Sequence, residues 1–72
     1  MDGRAVLGAN IRSFRLALEV SQEALADRAG MDRTYVAAVE RGEVNVSIDN
    51  ICRIAWALER SVAEMFGPKP RT

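Results

Sequence analysis

Residues 21–42 read SQEALADRAGMDRTYVAAVERG, and this stretch decides the fold. Ser21 is a helix-capping residue and Gly30 a helix stop, so a short helix is expected from about Gln22 to Ala29. Asp32 caps a second helix, from about Arg33 to Arg41, which Gly42 ends. Gly30 supplies the positive φ that a tight helix–helix turn requires. Leu25, Ala26, Ala29, Met31, Val36 and Val39 are the apolar positions that would tie the pair to a core. Polar residues gather at the two helix starts: Gln22 and Glu23 on the first, Arg33, Thr34 and Tyr35 on the second.

Two short helices around a glycine turn, polar at their starts and apolar behind, have the layout of a helix-turn-helix. In that motif the start of the second helix reads base edges in a DNA major groove.

Upstream, Leu7, Ile11, Phe14 and Leu18 recur at spacings of four, three and four, one stripe of an amphipathic helix that Asp2 can cap. Val20, directly before the cap Ser21, is placed to staple the next helix start. Downstream, Glu43 to Val46 reads as a loop. Ser47 caps a fourth helix, about Ile48 to Leu58, whose inward positions are Ile48, Ile51, Ile54, Ala55 and Leu58. Ser61 and Glu64 form a capping box for a short fifth helix through Phe66, which Gly67 and Pro68 end. No strand pattern appears. The expected architecture is all-α: one five-helix domain over residues 1–67, with a flexible tail over 68–72.

The chain has 72 residues, one domain's worth, and is 49% hydrophobic, ordinary for a globular fold. Its formal net charge is zero, whereas many DNA-binding domains are basic. Yet nine of the ten basic residues are Arg, which bonds phosphate or guanine bidentately where Lys cannot. With one Cys and no His, neither an internal disulfide nor a metal-ligand cluster is expected. There is no nucleophile–base constellation and no Gly-rich phosphate loop, so an enzyme is not expected, nor any cofactor or small-molecule ligand. No apolar run approaches the roughly 20 residues that span a bilayer, and no signal peptide is evident. A soluble cytoplasmic protein is the default expectation.

The residues Ile11-Arg12, Phe14-Arg15, Ser21-Gln22-Glu23-Ala24-Leu25-Ala26, Gly30, Glu40-Arg41-Gly42, Ser47-Ile48 and Ala57-Leu58 resemble the XRE family of helix-turn-helix regulators, which includes the phage Cro and lambda-type repressors. The similarity covers about residues 7–66. Within that family, Asp32-Arg33-Thr34-Tyr35 is similar to the controller proteins of restriction–modification systems, small stand-alone dimeric regulators. The family often has Pro where this chain has Val46. The resemblance implies a Gln at position 22 that touches phosphate. It also implies an internal pair between Arg15 on the first helix and Glu40, a pair that fixes geometry and whose breaking strands a buried charge.

For DNA contact the expected residues are Ser21, Gln22, Arg33, Thr34, Tyr35, Arg41, Asn45 and Ser47. Arg33 suits direct readout, because a guanidinium can bond O6 and N7 of guanine together. Thr34 can touch a base or pack its methyl on thymine. Tyr35 has the reach for a phosphate, or its ring packs on the core rim. Arg41 either faces the DNA backbone or stabilises the helix C-terminus. Asn45 and Ser47 lie where the chain leaves the reading helix, and Ser47 with the start of the fourth helix would form another phosphate cradle. Ala37 and Ala38 are too short to read much, so DNA shape or cooperation between dimers is expected to supply part of the specificity.

Trp56 lies off the inward stripe of the fourth helix, with Cys52 on the same side, and is either a core lid or an exposed anchor. Together with Val62, Met65 and Phe66 these residues suggest an apolar patch for a homodimer. A dimer places two reading helices about 34 Å apart, one turn of a palindromic double-stranded operator. The alternative is a protein-interaction module of the same fold, an antitoxin or antirepressor, which the neutral charge favours.

Overall fold

The computed structural model describes residues 2–68, and they form α1 (Gly3–Ala17), α2 (Gln22–Ala29), α3 (Arg33–Glu40), α4 (Ile48–Ala57) and α5 (Val62–Met65). Each start is set by an oxygen-bearing cap. Asp2, Ser21, Asp32, Ser47 and Ser61 accept first-turn backbone N–H groups that would otherwise lack partners. At Ser61 the cap is reciprocal, because Glu64 accepts from the Ser61 backbone N–H at 2.9 Å.

The helix ends repeat one device. Glu19, Gly30, Gly42 and Glu59 all adopt positive φ, at 58, 70, 73 and 59°. Each following N–H turns back into the helix just ended: Val20 to the Arg15 carbonyl, Met31 to Ala26, Glu43 to Ala38 and Arg60 to Ala55. These bonds satisfy carbonyls that a helix end leaves unpaired. Three links then reach the next cap in two residues, at Ser21, Asp32 and Ser61. Only the link after α3 is longer. Gly30 and Gly42 fit this conformation without a Cβ penalty, whereas Glu19 and Glu59 hold it as L residues.

The principal packings close a ring, α1 on α3, α3 on α2, α2 on α4, α4 on α5 and α5 on α1. The core inside it is Leu7, Ile11, Phe14, Leu25, Ala26, Ala29, Val36, Val39, Ile51, Ile54, Ala55, Ala57, Leu58 and Met65. At Gly8 the α1 and α3 backbones almost touch: a Cβ there would lie 2.4 Å from the Val39 carbonyl oxygen. The Arg60 guanidinium lies 4.7 Å from the Phe14 ring centroid and covers the far edge of the core.

Two expected core positions are corrected. Ile48 is 64% exposed, because it is the first residue of α4 and the loop valines Val44 and Val46 pack against the core instead. Leu18 is exposed because it is the C-cap of α1, where the chain turns away through Glu19. Of the expected flexible tail, residues 69–72 lie outside the described residues. No described helix is long and apolar enough to cross a membrane.

Candidate nucleic-acid interface

The starts of α2 and α3 meet at one shallow hollow lined by Arg15, Ser21, Gln22, Glu23 and Arg33. Beneath it lies a polar lock. Arg15 donates from Nε to Glu40 Oε2 at 2.6 Å and from Nη2 to Oε1 at 3.0 Å. Its Nη1 donates to the Val20 carbonyl at 3.0 Å, in the link before α2. Gln22 Nε2 adds a third donor to Glu40, on Oε1 at 3.1 Å. The Glu40 side chain is only 4% exposed, so these donors replace the water it has lost. One buried carboxylate thereby fixes α1, the α2 start and the end of α3 together. The internal Arg15–Glu40 pair expected from the sequence is present.

Gln22, which the family resemblance implies touches phosphate, is thus engaged in part within the protein. One amide hydrogen is committed to Glu40, which orients the group and leaves the other hydrogen for an outside acceptor. Ser21 Oγ likewise serves its own helix, accepting from the Ala24 N–H at 3.0 Å.

On α3 the division is clear. Asp32 accepts the Thr34 N–H at 2.8 Å and holds the helix start. Arg33 and Thr34 are exposed there, and neither side chain has a hydrogen-bond partner among the described residues. Tyr35 is half-buried with its ring against the core, and its hydroxyl accepts from Asn50 Nδ2 at 3.2 Å. That bond leaves the phenolic hydrogen free to donate outward. Ala37 and Ala38 are half-buried and end short of any ligand.

At the other end of α3, Arg41 is exposed and pairs with Glu43 at 3.0 Å. The hydrogen bond from Arg41, reinforced by its charge, holds the Glu43 carboxyl below its ordinary value, and the same bond raises Arg41. A phosphate reaching Arg41 must share it with Glu43. Asn45 and Ser47 are exposed beyond it, Ser47 Oγ accepting the Asn50 N–H at 3.2 Å.

The residues expected on a dimer face do not share one surface. Cys52 and the 74%-exposed Trp56 line a hollow with Ala29 and Gly30, before the start of α3. Phe66, 47% exposed, lines another with Asn45 and Val46, beyond the end of α3. Val62 is half-buried against the core. Met65 is fully buried and reaches no partner, because α5 points it into the ring of helices.

The structure adds three residues that the sequence did not single out. Asn50 carries no local signal for its bond to Tyr35. Gly8 is a glycine inside a helix whose reason lies on another helix. Asn10 is 1% exposed and donates from Nδ2 to both the Met65 and Gly67 carbonyls at 2.8 Å, across 55 and 57 residues of chain.

Comparison with known proteins bears on this arrangement. The family model described as Helix-turn-helix matches residues 11–65. A hypothetical transcription factor of Neisseria meningitidis is 46% identical over 67 residues, which are 93% of this chain and 63% of that protein's length. The restriction-modification controller protein C.AhdI of Aeromonas hydrophila is 44% identical, with a TM-score of 0.85 over 88% of this chain and 96% of that one. The controller protein C.Esp1396I, solved as a tetramer in complex with its natural 35 base-pair operator, is 30% identical, with a TM-score of 0.83 over 92% and 87% of the two chains.

Proposed function

This chain belongs to the helix-turn-helix family, and from that premise we propose that it is a sequence-specific DNA-binding regulator of transcription acting as a homodimer. The observation that carries the reading is the contrast at the start of α3. Arg33 and Thr34 project free, while their neighbours Gln22 and Tyr35 are held by Glu40 and Asn50. Such a surface presents two readers on a locked frame, as base recognition requires.

Arg33 reads guanine through O6 and N7, and Thr34 touches the adjoining base. The remaining amide hydrogen of Gln22, the hydroxyl of Tyr35, Asn45 and the capped starts at Ser21 and Ser47 position the DNA backbone. Arg41 joins them in part, since Glu43 shares it. Two copies on a palindrome place their α3 helices about 34 Å apart. The controller proteins among its relatives support control of restriction–modification genes as the regulatory setting. A binding protein of the cytoplasm, without catalysis or cofactor, fits this role.

The zero net charge and the Glu43 partner of Arg41 favour one other reading, a protein-binding module such as an antitoxin or antirepressor. Selection of binding duplexes from a random pool separates the two. Arg33→Ala is expected to lower discrimination at one guanine by about 1–3 kcal/mol and leave folding intact. Failure of every duplex to bind at low salt would remove the DNA reading.

A further inference from the structure

We infer that Asn50 is a positioning residue for DNA binding, and that it acts by turning the Tyr35 hydroxyl hydrogen outward. The inference rests on the DNA reading above and names what aims one of its backbone contacts. Tyr35 is the third residue of α3 and Asn50 the third of α4, so each sits in the first turn of a capped helix. α3 and α4 are not among the principal packing pairs, and each packs on α2 instead. The longest link of the fold, from Arg41 to Ser47, runs between them. The bond from Asn50 Nδ2 to the Tyr35 hydroxyl, at 3.2 Å and across fifteen positions of chain, ties the two starts together.

The chemistry of that bond has a direction. A phenol carries one hydrogen and two lone pairs. Asn50 fills a lone pair with an N–H, so the hydrogen is left for an acceptor outside the protein. The ring is packed against the core, which limits where the hydroxyl can go. A phosphate oxygen is an acceptor and takes the hydrogen in this sense only. The tie also sets a spacing. Arg33 and Thr34 directly precede Tyr35 and face the bases on the proposed reading, while Ser47 begins the helix that carries Asn50. Asn50 thereby holds the base readers of α3 at a fixed distance from the start of α4, where the DNA backbone is gripped.

Binding to the tightest duplex recovered from the random-pool selection tests the inference, through double-mutant cycles. Tyr35→Phe is expected to raise Kd about tenfold and Asn50→Ala about fivefold, while in the Tyr35→Phe background Asn50→Ala changes it by less than about twofold. Asn50→Asp is the second arm. An acid in the first turn favours α4, so this variant folds. Its carboxylate keeps the tie but accepts the phenolic hydrogen, which turns inward. In the Tyr35→Phe background the same change records only charge repulsion from DNA. The loss from Asn50→Asp is expected to be about fivefold greater with the hydroxyl than without it. A merely structural tie, which Asp restores, would give equal losses in both backgrounds. Equal losses, a Tyr35→Phe variant that binds like the native chain, or a full Asn50→Ala loss without the hydroxyl each overturns the inference and leaves the DNA reading standing. A native chain that no duplex binds at low salt overturns both. If Asn50→Ala does not fold, the Asn50→Asp and Tyr35→Phe arms decide.

Discussion

Arg15 and Asn10 lie five positions apart on α1, and each holds a different part of the molecule. Arg15 reaches α3 and the α2 link through a charged network in which Glu40 accepts three hydrogen bonds. Asn10 reaches the carbonyls around Phe66 through two neutral hydrogen bonds and leaves one of its own atoms unpaired. The end at the starts of α2 and α3 is thus fixed by a buried ion pair, and the α5 end by a lighter fork. The two ends should therefore fail separately and at different costs. On the function proposed above, base reading by Arg33 would tolerate little movement of the α3 start.

The largest effect is expected from Glu40→Ala. It leaves the Arg15 guanidinium buried without its partner, at a cost of about 3–5 kcal/mol. In a chain of this size that lowers the melting temperature by about 15 °C or more. Calorimetry checks it, and an unchanged melting temperature would show that the ion pair is not what ties α1 to α3.

Gly8→Ala comes next. Alanine is the better helix former by about 0.8–1 kcal/mol, which taken alone predicts a gain. Its Cβ, however, would meet the Val39 and Glu40 carbonyl oxygens at 2.4 and 2.6 Å, and both are backbone atoms that cannot swing away. Parting two helices costs about 1–3 kcal/mol, so the net change is a loss. Urea unfolding measures it, and a stabilised variant would mean that α1 and α3 separate freely.

Most of the α2–α3 end was legible in the sequence, and most of the α5 end was not. The five caps, the stops Gly30 and Gly42 and the faces of α2 and α3 depend on residues within one turn of each other, so spacing discloses them. The Arg15–Glu40 pair was available only through family resemblance. Asn10 has no such signal, since its partners are main-chain carbonyls more than fifty residues away. Ile48 misled because its spacing matches the inward stripe, but a helix's first residue is covered only if the preceding loop lies elsewhere, and here Val44 and Val46 take the space. Glu19 and Glu59 were silent because composition marks a left-handed helix stop only when it is glycine.

Those two glutamates give a smaller prediction of opposite sign. An L residue in the left-handed region costs about 1–2 kcal/mol, and glycine's extra chain entropy returns about 0.5–1 of it. Glu19→Gly and Glu59→Gly should each stabilise the fold by up to about 1 kcal/mol, seen as a higher urea midpoint with unchanged slope. The first tightens the link into the reading pair and the second the link into α5. An equal gain at both ends would show that the ends differ in their buried polar ties and not in their turns.

The smallest effect concerns the cap of α5. Glu64 accepts from the Ser61 backbone N–H, and this bond, with lesser help from the Ser61 hydroxyl and Arg60, holds its carboxyl below the ordinary 4.5. A lowered carboxyl contributes stability that is present above 4.5 and lost as pH falls through the folded value. The group is exposed, so global unfolding should barely register it. The local readout is hydrogen exchange at the Phe66 and Gly67 amides, which donate to the Ala63 and Glu64 carbonyls. Their protection, relative to Glu64→Gln, should be constant near neutrality and converge with the variant's as the carboxyl protonates. Protection at Thr34 and Val36 on α3 should not follow. If it did, the two ends would open together, and Asn10 and Arg15 would be parts of one lock.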